Sequence, residues 1–527
     1  MLVKHPPRIH FLTMDNKASR TSGSKKFHSF FQPGIFAAHA GFASWPVRRR
    51  LFAIALIGLG MRCYGLFDHW KVHDHYNFGG PFNAAFVECL NETPWSVSKG
   101  IPHTGCETKS PDHFIYYRNH PPFLYWSLVV WTQLLGYSEW VYRSFTLIFS
   151  ILNIVLVFQV ARKIWPDDDD RALWSAFFQS FFLGGIYFGT HVDMPAEFTA
   201  TFWLLGTGAL LSNAWGLAIL FVLGAGLTDW PGFFMLVGLL VLAFYQRRHR
   251  LLVSSSLLVS GVMVLAIMAY MQQTVDLWTW LQAKLTARGY EESALNTRGI
   301  LGPVNFVYTL VQHLARLLGP LFAGFFLLGL ARLGISLRGG STKSSAAITF
   351  HVVLALWSVT ALSLFVASHR YVMVHVFWLI PLLPLAAWVC GDWVAGWEGA
   401  GKAFLAGRRK WLVFSLSLFI IFYPYGLYKS NPVHDALNSL FLGGTALVFL
   451  VNPFMSQKNF RALILIAALA NFSQVANYRN EEDTEHAFCE EAKAYYKTRG
   501  QPLKTDRSPS PSSAFYCRGT PVIYDAK

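Results

Sequence analysis

The sequence predicts an all-α polytopic membrane protein, and three observations carry that prediction. Of its 527 residues, 53% are hydrophobic and only 14% charged, where a soluble domain has about 25% charged residues. Phe, Trp and Tyr together make up 16%. Long stretches carry no Asp, Glu, Lys or Arg at all. These features exclude a soluble multidomain enzyme, a coiled coil, a disordered chain and an eight-stranded barrel. The formal charge of +15 would suggest nucleic acid for a soluble chain. In a membrane protein it marks the cytoplasmic side instead, so no nucleic-acid partner is expected.

Apolar runs begin near Leu51, Pro122, Ser144, Ala172, Pro195, Gly216, Trp230, Leu251, Val304, Ala346, Tyr371, Trp411, Ala436 and Ala462. A span needs roughly 20 apolar residues. The run 122–136 falls short, at about 22 Å as a helix. It opens with Pro121-Pro122 and carries Tyr125, Trp126 and Trp131, ring types favoured at a membrane interface. If it lies along the outer surface, thirteen spans remain. The basic segment 1–50 and the basic loops 162–171, 247–250, 332–343, 402–410 and 458–461 then fall on one side, with twenty-four Lys and Arg against about ten opposite. That side is read as cytoplasmic, with the N-terminus inside and the C-terminus outside. No cleavable signal peptide is visible.

Three regions follow: a basic cytoplasmic segment 1–50, a transmembrane domain 51–476 with an outer loop 68–143, and a small outer tail 477–527. The tail is too short to build much of a core unaided; its stretch 481–499 reads as a helix ended by Gly500. Cys89 and Cys106 lie in the outer loop, and Cys489 and Cys517 in the tail. Two disulfides or four unpaired thiols fit that pattern. Asn91-Glu92-Thr93 is a glycosylation sequon on the outer side, though Pro94 follows.

The outer side gathers the chemistry. Loop 68–121 holds Asp68-His69-Trp70, His73-Asp74-His75-Tyr76 and Tyr116-Tyr117-Arg118-Asn119-His120. A loop at a bilayer surface is also polar for solubility alone. A carboxylate directly after the first span, flanked by His and aromatic rings, is nevertheless placed to take a proton. Gly189-Thr190-His191-Val192-Asp193, Thr228-Asp229, loop 272–303 and Ser368-His369-Arg370-Tyr371 join it. Asp193 at a span terminus is either solvated or part of a site. The spans are nearly free of charge, Arg62 and Arg316 being the main exceptions. Asp167–Asp170, beside Arg162, Lys163 and Arg171, reads as a solvated cytoplasmic turn. No tight His-x-x-x-His on a helix and no Cys-x-x-Cys supports a zinc site.

These motifs together resemble one family. The acidic motif after the first span, His120-Pro121-Pro122-Phe123-Leu124-Tyr125-Trp126, Gly136-Tyr137-Ser138-Glu139-Trp140-Val141-Tyr142-Arg143, Gly189–Asp193 with Met194-Pro195, and His369-Arg370-Tyr371 with Pro381 and Pro384 look like the GT-C glycosyltransferases of the protein O-mannosyltransferase and lipid A aminoarabinose-transferase type. The resemblance runs from about residue 50 to 390. It implies a GT-C-like bundle with juxtamembrane helices in the first outer loop. It also implies a sugar donor carried on a polyprenyl phosphate and an acceptor on the outer or lumenal face, whether protein, glycolipid or polymer. Asp74 would be the general base of an inverting transfer, with Asp68 in reserve. Where the family's Asp is usually followed by Glu, His75 follows here. Asp193, with His191, matches a position that shapes the site or holds a divalent metal in some relatives. His120 stands where the aminoarabinose branch has Lys, and Thr228-Asp229-Trp230 where the mannosyltransferase branch commonly has Thr-Lys-Gly, so a basic contact is absent there.

The chemistry is coherent with that resemblance. A sugar hydroxyl is a poor nucleophile at neutral pH, so a carboxylate within hydrogen-bond reach must accept its proton. The departing phosphate gains charge, which cations aimed at it stabilise. Arg118, His120, Arg288 and Arg370 are the outer-face groups available. Tyr117, Tyr125, Trp126 and Tyr371 are the rings expected around the donor and acceptor groove. Asp74 and Asp193 are expected to face one water-filled cleft. The membrane is the inner one in a bacterium and the endoplasmic reticulum in a eukaryote. The rival readings are a transporter or flippase, which would place ionisable groups at mid-bilayer within paired repeats, and a non-catalytic scaffold.

Overall fold

The computed structural model describes residues 45–64, 66–67, 75–106, 114–117, 120–190, 196–247, 249–273, 276, 310, 313–314, 316–338, 344–374, 376–396, 457–479, 484–505 and 522–524. Helix α1 (Val47–Cys63) crosses first. It is followed by a cap of small elements: α2 (His75–Glu92), α3 (Trp95–Ser98), an antiparallel pair of β1 (His103–Thr104) and β2 (Ile115–Tyr116), and α4 (Phe123–Leu135). The bundle then continues through α5 (Glu139–Ile164), α6 (Asp169–Phe181), α7 (Leu183–Phe188), α8 (Ala196–Leu211), α9 (Trp215–Thr228), a 3-10 turn at Trp230–Phe233, α10 (Phe234–Gln246) and α11 (Arg250–Met271). Later come α12 (Pro320–Arg338), α13 (Ser345–Val374), a 3-10 segment at Val376–Leu382, α14 (Leu383–Ala395), α15 (Gln457–Arg479) and α16 (Thr484–Arg499). A parallel pair, β3 (Leu503–Thr505) and β4 (Val522–Tyr524), lies in the tail.

Eleven of the thirteen expected spans fall on described helices; those starting near Trp411 and Ala436 lie outside the described residues. Four helical stretches are long and apolar enough to cross a membrane: Glu139–Ile164, Arg250–Met271, Ser345–Phe365 and Trp378–Ala395. The other described helices are shorter or less apolar and depend on their neighbours. Three buried indoles show how. Trp203, Trp357 and Trp388 meet edge to face, with ring centroids 5.7 and 5.2 Å apart. Their N–H groups donate to the Gly232 carbonyl, the Thr207 hydroxyl and the Val157 carbonyl. A buried indole N–H left unbonded costs about 1–3 kcal/mol, so these bonds fix how α5, α8, α13 and α14 dock.

The helix between cap and bundle is settled by geometry. Arg143, one turn into α5, donates to the Leu66 carbonyl at 2.9 Å. The chain therefore leaves α1 and enters α5 at the same level, and α4 between them makes no crossing. Its thirteen residues cover about 20 Å. It packs with Ala84, Phe86 and Val87 of α2, and with Tyr142, Phe145 and Phe149 at the start of α5. Phe488 and Cys489 of α16 join this second core. The tail thus builds its core with the outer loop. A disulfide links Cys89 to Cys106, Cys489 is disulfide-bonded as well, and Cys63 and Cys390 form no disulfide. Cys517 lies outside the described residues.

The bundle consequently has a cap end and a basic end. At the basic end Arg50 pairs with Asp170 at 3.1 Å, Arg162 with Asp169 at 3.0 Å, and Arg171 with Asp168 at 3.2 Å. Asp392 of α14 receives Arg171 at 3.5 Å and Arg332 at 3.7 Å. The run at 167–170 is more than a solvated turn: Asp168 also caps α6 by accepting from the Arg171 N–H, and its neighbours tie α1 and α5 together. Two further expectations are corrected. In the run that begins near Val304, the described residues 310, 313–314 and 316–318 are helical, Gly319 at φ +81° interrupts the helix, and α12 follows from Pro320, so Arg316 lies just before that interruption. The 368–371 motif lies in the last turns of the 30-residue α13, which runs on to Val374 before the 3-10 segment. At 1.5 Å per residue α13 is about 45 Å long, longer than the bilayer core, and needs no loop at that motif.

Candidate active site at the cap end

The site forms where the cap meets the bundle. Its floor is a buried polar network. Arg62, wholly buried near the end of α1, donates through Nε to the Ser150 hydroxyl at 2.8 Å. Its other nitrogens donate to the carbonyls of Gly58, Ser180 and Gln179. Ser150 in turn donates to Glu197 Oε1 at 3.3 Å, and Asn153 to Glu197 Oε2 at 2.7 Å. Thr201 donates to Asn153 Oδ1 at 2.7 Å. A buried charge is tolerated only when its hydrogen-bonding capacity is met, and here α1, α5, α6 and α8 share the task. Gly189 fits against this network because it has no Cβ. A methyl there would lie 2.8 Å from both Arg62 Nε and Ser150 Oγ, so Gly189 is seated on the Arg62 guanidinium.

The roof comes from the segment before α4. The His120 ring, buried, stacks with Tyr117 at 5.8 Å between centroids. Its Nδ1 donates to Asp229 Oδ1 at 2.7 Å. Asp229 ends α9 in an extended conformation that turns the chain into the 3-10 segment. Just below, the Thr199 and Thr228 hydroxyls bond at 2.9 Å, and Phe123 stacks on Phe198 at 6.0 Å. These contacts hold roof and floor together. Tyr125 lies deep in the cap, its hydroxyl donating to Asn83 Oδ1 at 2.8 Å. Burial, with Tyr117 and Asp229 nearby, pushes its phenol well above the usual tyrosine range, so it stays protonated. Trp126 braces the cap by donating to the Gly100 carbonyl at 2.8 Å and packing on Trp95 and Tyr270.

Of the residues expected from sequence, the structure therefore brings Tyr117, His120, Tyr125 and Trp126 to one region. Asp68, Asp74, Arg118, His191, Asp193 and Arg288 lie outside the described residues. Phe67 and His75 flank the first two, and Thr190 and Ala196 bracket His191 and Asp193; all four belong to the cap end. Arg370 and Tyr371 lie on α13, where only the backbone is described. Among the described residues no group of three or more His, Cys, Asp or Glu is placed to hold a metal ion. Sequence reasoning missed Glu197 and did not pair Asp229 with His120. A signal existed for each: Glu197 is the one acid in the apolar run 196–211, where an ionisable group needs a partner, and Asp229 follows thirty-one residues without charge.

A helical membrane bundle topped by small juxtamembrane helices, with buried acid and base groups at their junction, defines the GT-C class of fold. Residues 119–271 match the model of the dolichyl-phosphate-mannose-protein mannosyltransferase family. The chain is similar in fold to ArnT from Cupriavidus metallidurans in the apo state, with 15% identity, a TM-score of 0.50, and coverage of 92% of this chain and 86% of that one. ArnT bound to undecaprenyl phosphate gives 15% identity and a TM-score of 0.47, over 93% and 86% of the two chains. The apo oligosaccharyltransferase of Archaeoglobus fulgidus gives 13% and 0.47, over 92% of this chain and 65% of that one. No curated protein sequence matches the chain.

Proposed function

We propose that this protein transfers a sugar from a polyprenyl-phosphate donor to an acceptor hydroxyl, with inversion, at the cap end. The observation that carries the reading is a coincidence of two independent boundaries. The family match runs from residue 119 to 271; that stretch supplies His120, α4, Ser150, Asn153, Glu197 and Asp229, the groups that the fold assembles at one junction. In the reaction the acceptor oxygen attacks the anomeric carbon, the carbon–oxygen bond to phosphate breaks, and its electron pair leaves on the phosphate. Asp74, or Asp68 in its place, accepts the hydroxyl proton. One base suffices, because phosphate leaves without an added acid, unlike the sugar oxygen in a glycosidase. Arg118, His120, Arg288 and Arg370 would stabilise the charge developing on the phosphate, and Asp193 with His191 would shape the site. The disulfides agree with a cap facing an oxidising compartment, which supports the reading of the basic end as cytoplasmic.

The test uses membranes holding the full chain and a labelled polyprenyl-phosphate sugar. Asp74→Asn is expected to abolish transfer while the protein folds normally. Full transfer by both Asp74→Asn and Asp68→Asn would remove the proposed base, and label crossing the bilayer unattached would indicate a transporter. Sidedness has its own test. A cysteine at Asp168 should resist impermeant thiol reagents in intact cells, and ready labelling would invert the assignment.

A further inference from the structure

Resting on the transfer reading above, we infer that Asp229 is a positioning residue: it fixes the tautomer and orientation of His120 so that Nε2 meets the phosphate of the lipid-linked donor. The two side chains come from elements 109 residues apart. Both are nearly out of solvent, with exposures of 6% and 7%. A carboxylate accepts and does not donate. At 2.7 Å from Asp229 Oδ1, His120 Nδ1 must therefore carry the proton. Nε2 is left for a ligand, and among the described residues it makes no hydrogen bond of its own.

The ring cannot easily turn away from this arrangement. Tyr117 lies nearly parallel to it, at an interplanar angle of 17°. Pro121 and Pro122 follow His120 directly and restrict its backbone, and Pro122 leads into α4. Asp229 is equally constrained. Its N–H bonds the Ala225 carbonyl at 3.1 Å, its own carbonyl accepts from Gly232, and Thr228 beside it is tied to Thr199. A rigid carboxylate thus holds a stacked imidazole by one nitrogen and leaves the other available. Such second partners set the ring nitrogen that acts, in metal sites and catalytic histidines alike. An anionic phosphate is the ligand that a protonated Nε2 would favour, through a charge-assisted hydrogen bond. Asp229 does not touch the phosphate in this account; it acts through His120.

The experiment measures binding of sugar-free polyprenyl phosphate to the purified full chain in detergent, together with sugar transfer in membranes. Asp229→Asn is expected to weaken binding about tenfold, the low end for loss of a histidine's orienting partner. His120→Gln should weaken it by a similar factor, and the double variant should be no worse than His120→Gln alone. Unchanged binding in folded Asp229→Asn, or losses that multiply in the double variant, would overturn the inference. Nitrogen-15 NMR of labelled histidine, assigned with His120→Gln, decides the matter without altering Asp229. It should show Nδ1 protonated and the Nε2 signal moving when polyprenyl phosphate is added; a neutral ring protonated at Nε2 would overturn the inference. Wild-type protein that binds no polyprenyl phosphate would bring down the transfer reading and this inference together. Normal binding by the wild type with an indifferent Asp229 variant would sink only the latter.

Discussion

The two ends of the bundle both pair acids with bases, but they do so in opposite physical settings. At the basic end Asp168, Asp169 and Asp170 are about two-fifths exposed, and each faces an arginine across a surface open to solvent. At the cap end Glu197 and Asp229 are buried, and each is held by neutral or histidine partners at about 2.7 Å. Water screens the first group, so its pairs are individually weak and mutually replaceable. Nothing screens the second, so each partner is needed. Anchoring of helices and construction of a reactive site use the same residue types; burial separates the two roles.

Four perturbations would break or sharpen that contrast. The largest effect is expected from Arg62→Ala, which leaves Glu197 buried without the cation it meets through Ser150 and empties the seat beneath Gly189. A loss of about 3–5 kcal/mol is expected, as for other broken buried pairs, and is read as a steep fall in thermal stability in detergent. Next is Cys89→Ser. Opening a loop of 17 residues should cost about 3 kcal/mol on the chain-entropy account, confined to the cap, and local proteolysis within 75–135 would report it.

A pH effect comes third. His103 bonds the Ile101 carbonyl and the Thr93 hydroxyl, and burial lowers its pKa below the ordinary 6.5. The unfolded chain takes up this proton from about pH 6.5 downward, whereas the folded cap does so only at lower pH. The cap's stability should therefore be complete above pH 6.5 and decline as the pH falls toward the folded value. His103→Asn should flatten that slope, as measured by cap proteolysis at graded pH. The smallest change is expected from Arg162→Ala, whose pair with Asp169 is roughly half exposed; melting should shift by less than about 1 kcal/mol. A large loss there would erase the contrast between the ends.

What the sequence revealed follows the range of the interactions involved. The helical class and the juxtamembrane placement of α4 are local properties of hydropathy, length and ring content, and the structure bears them out. Its His120-Pro-Pro motif is also local, as are the two cysteines that close the cap. Asp229 and Glu197 are different: their meaning comes from residues 109 and 44 positions away, and no local pattern encodes such a partner. The break after α13 was misplaced for a related reason. Apolar residues resume directly after Ser368-His369-Arg370, and only packing decides where a helix of that composition yields.

The most direct test of a cap-end site is photo-cross-linking of membranes with a polyprenyl phosphate carrying a photoreactive group beside the phosphate, followed by peptide mass spectrometry. Label is expected in the peptides that carry His120–Trp126 and Asp229. Label concentrated around Arg171, Arg332 and Asp392 at the other end would contradict the account.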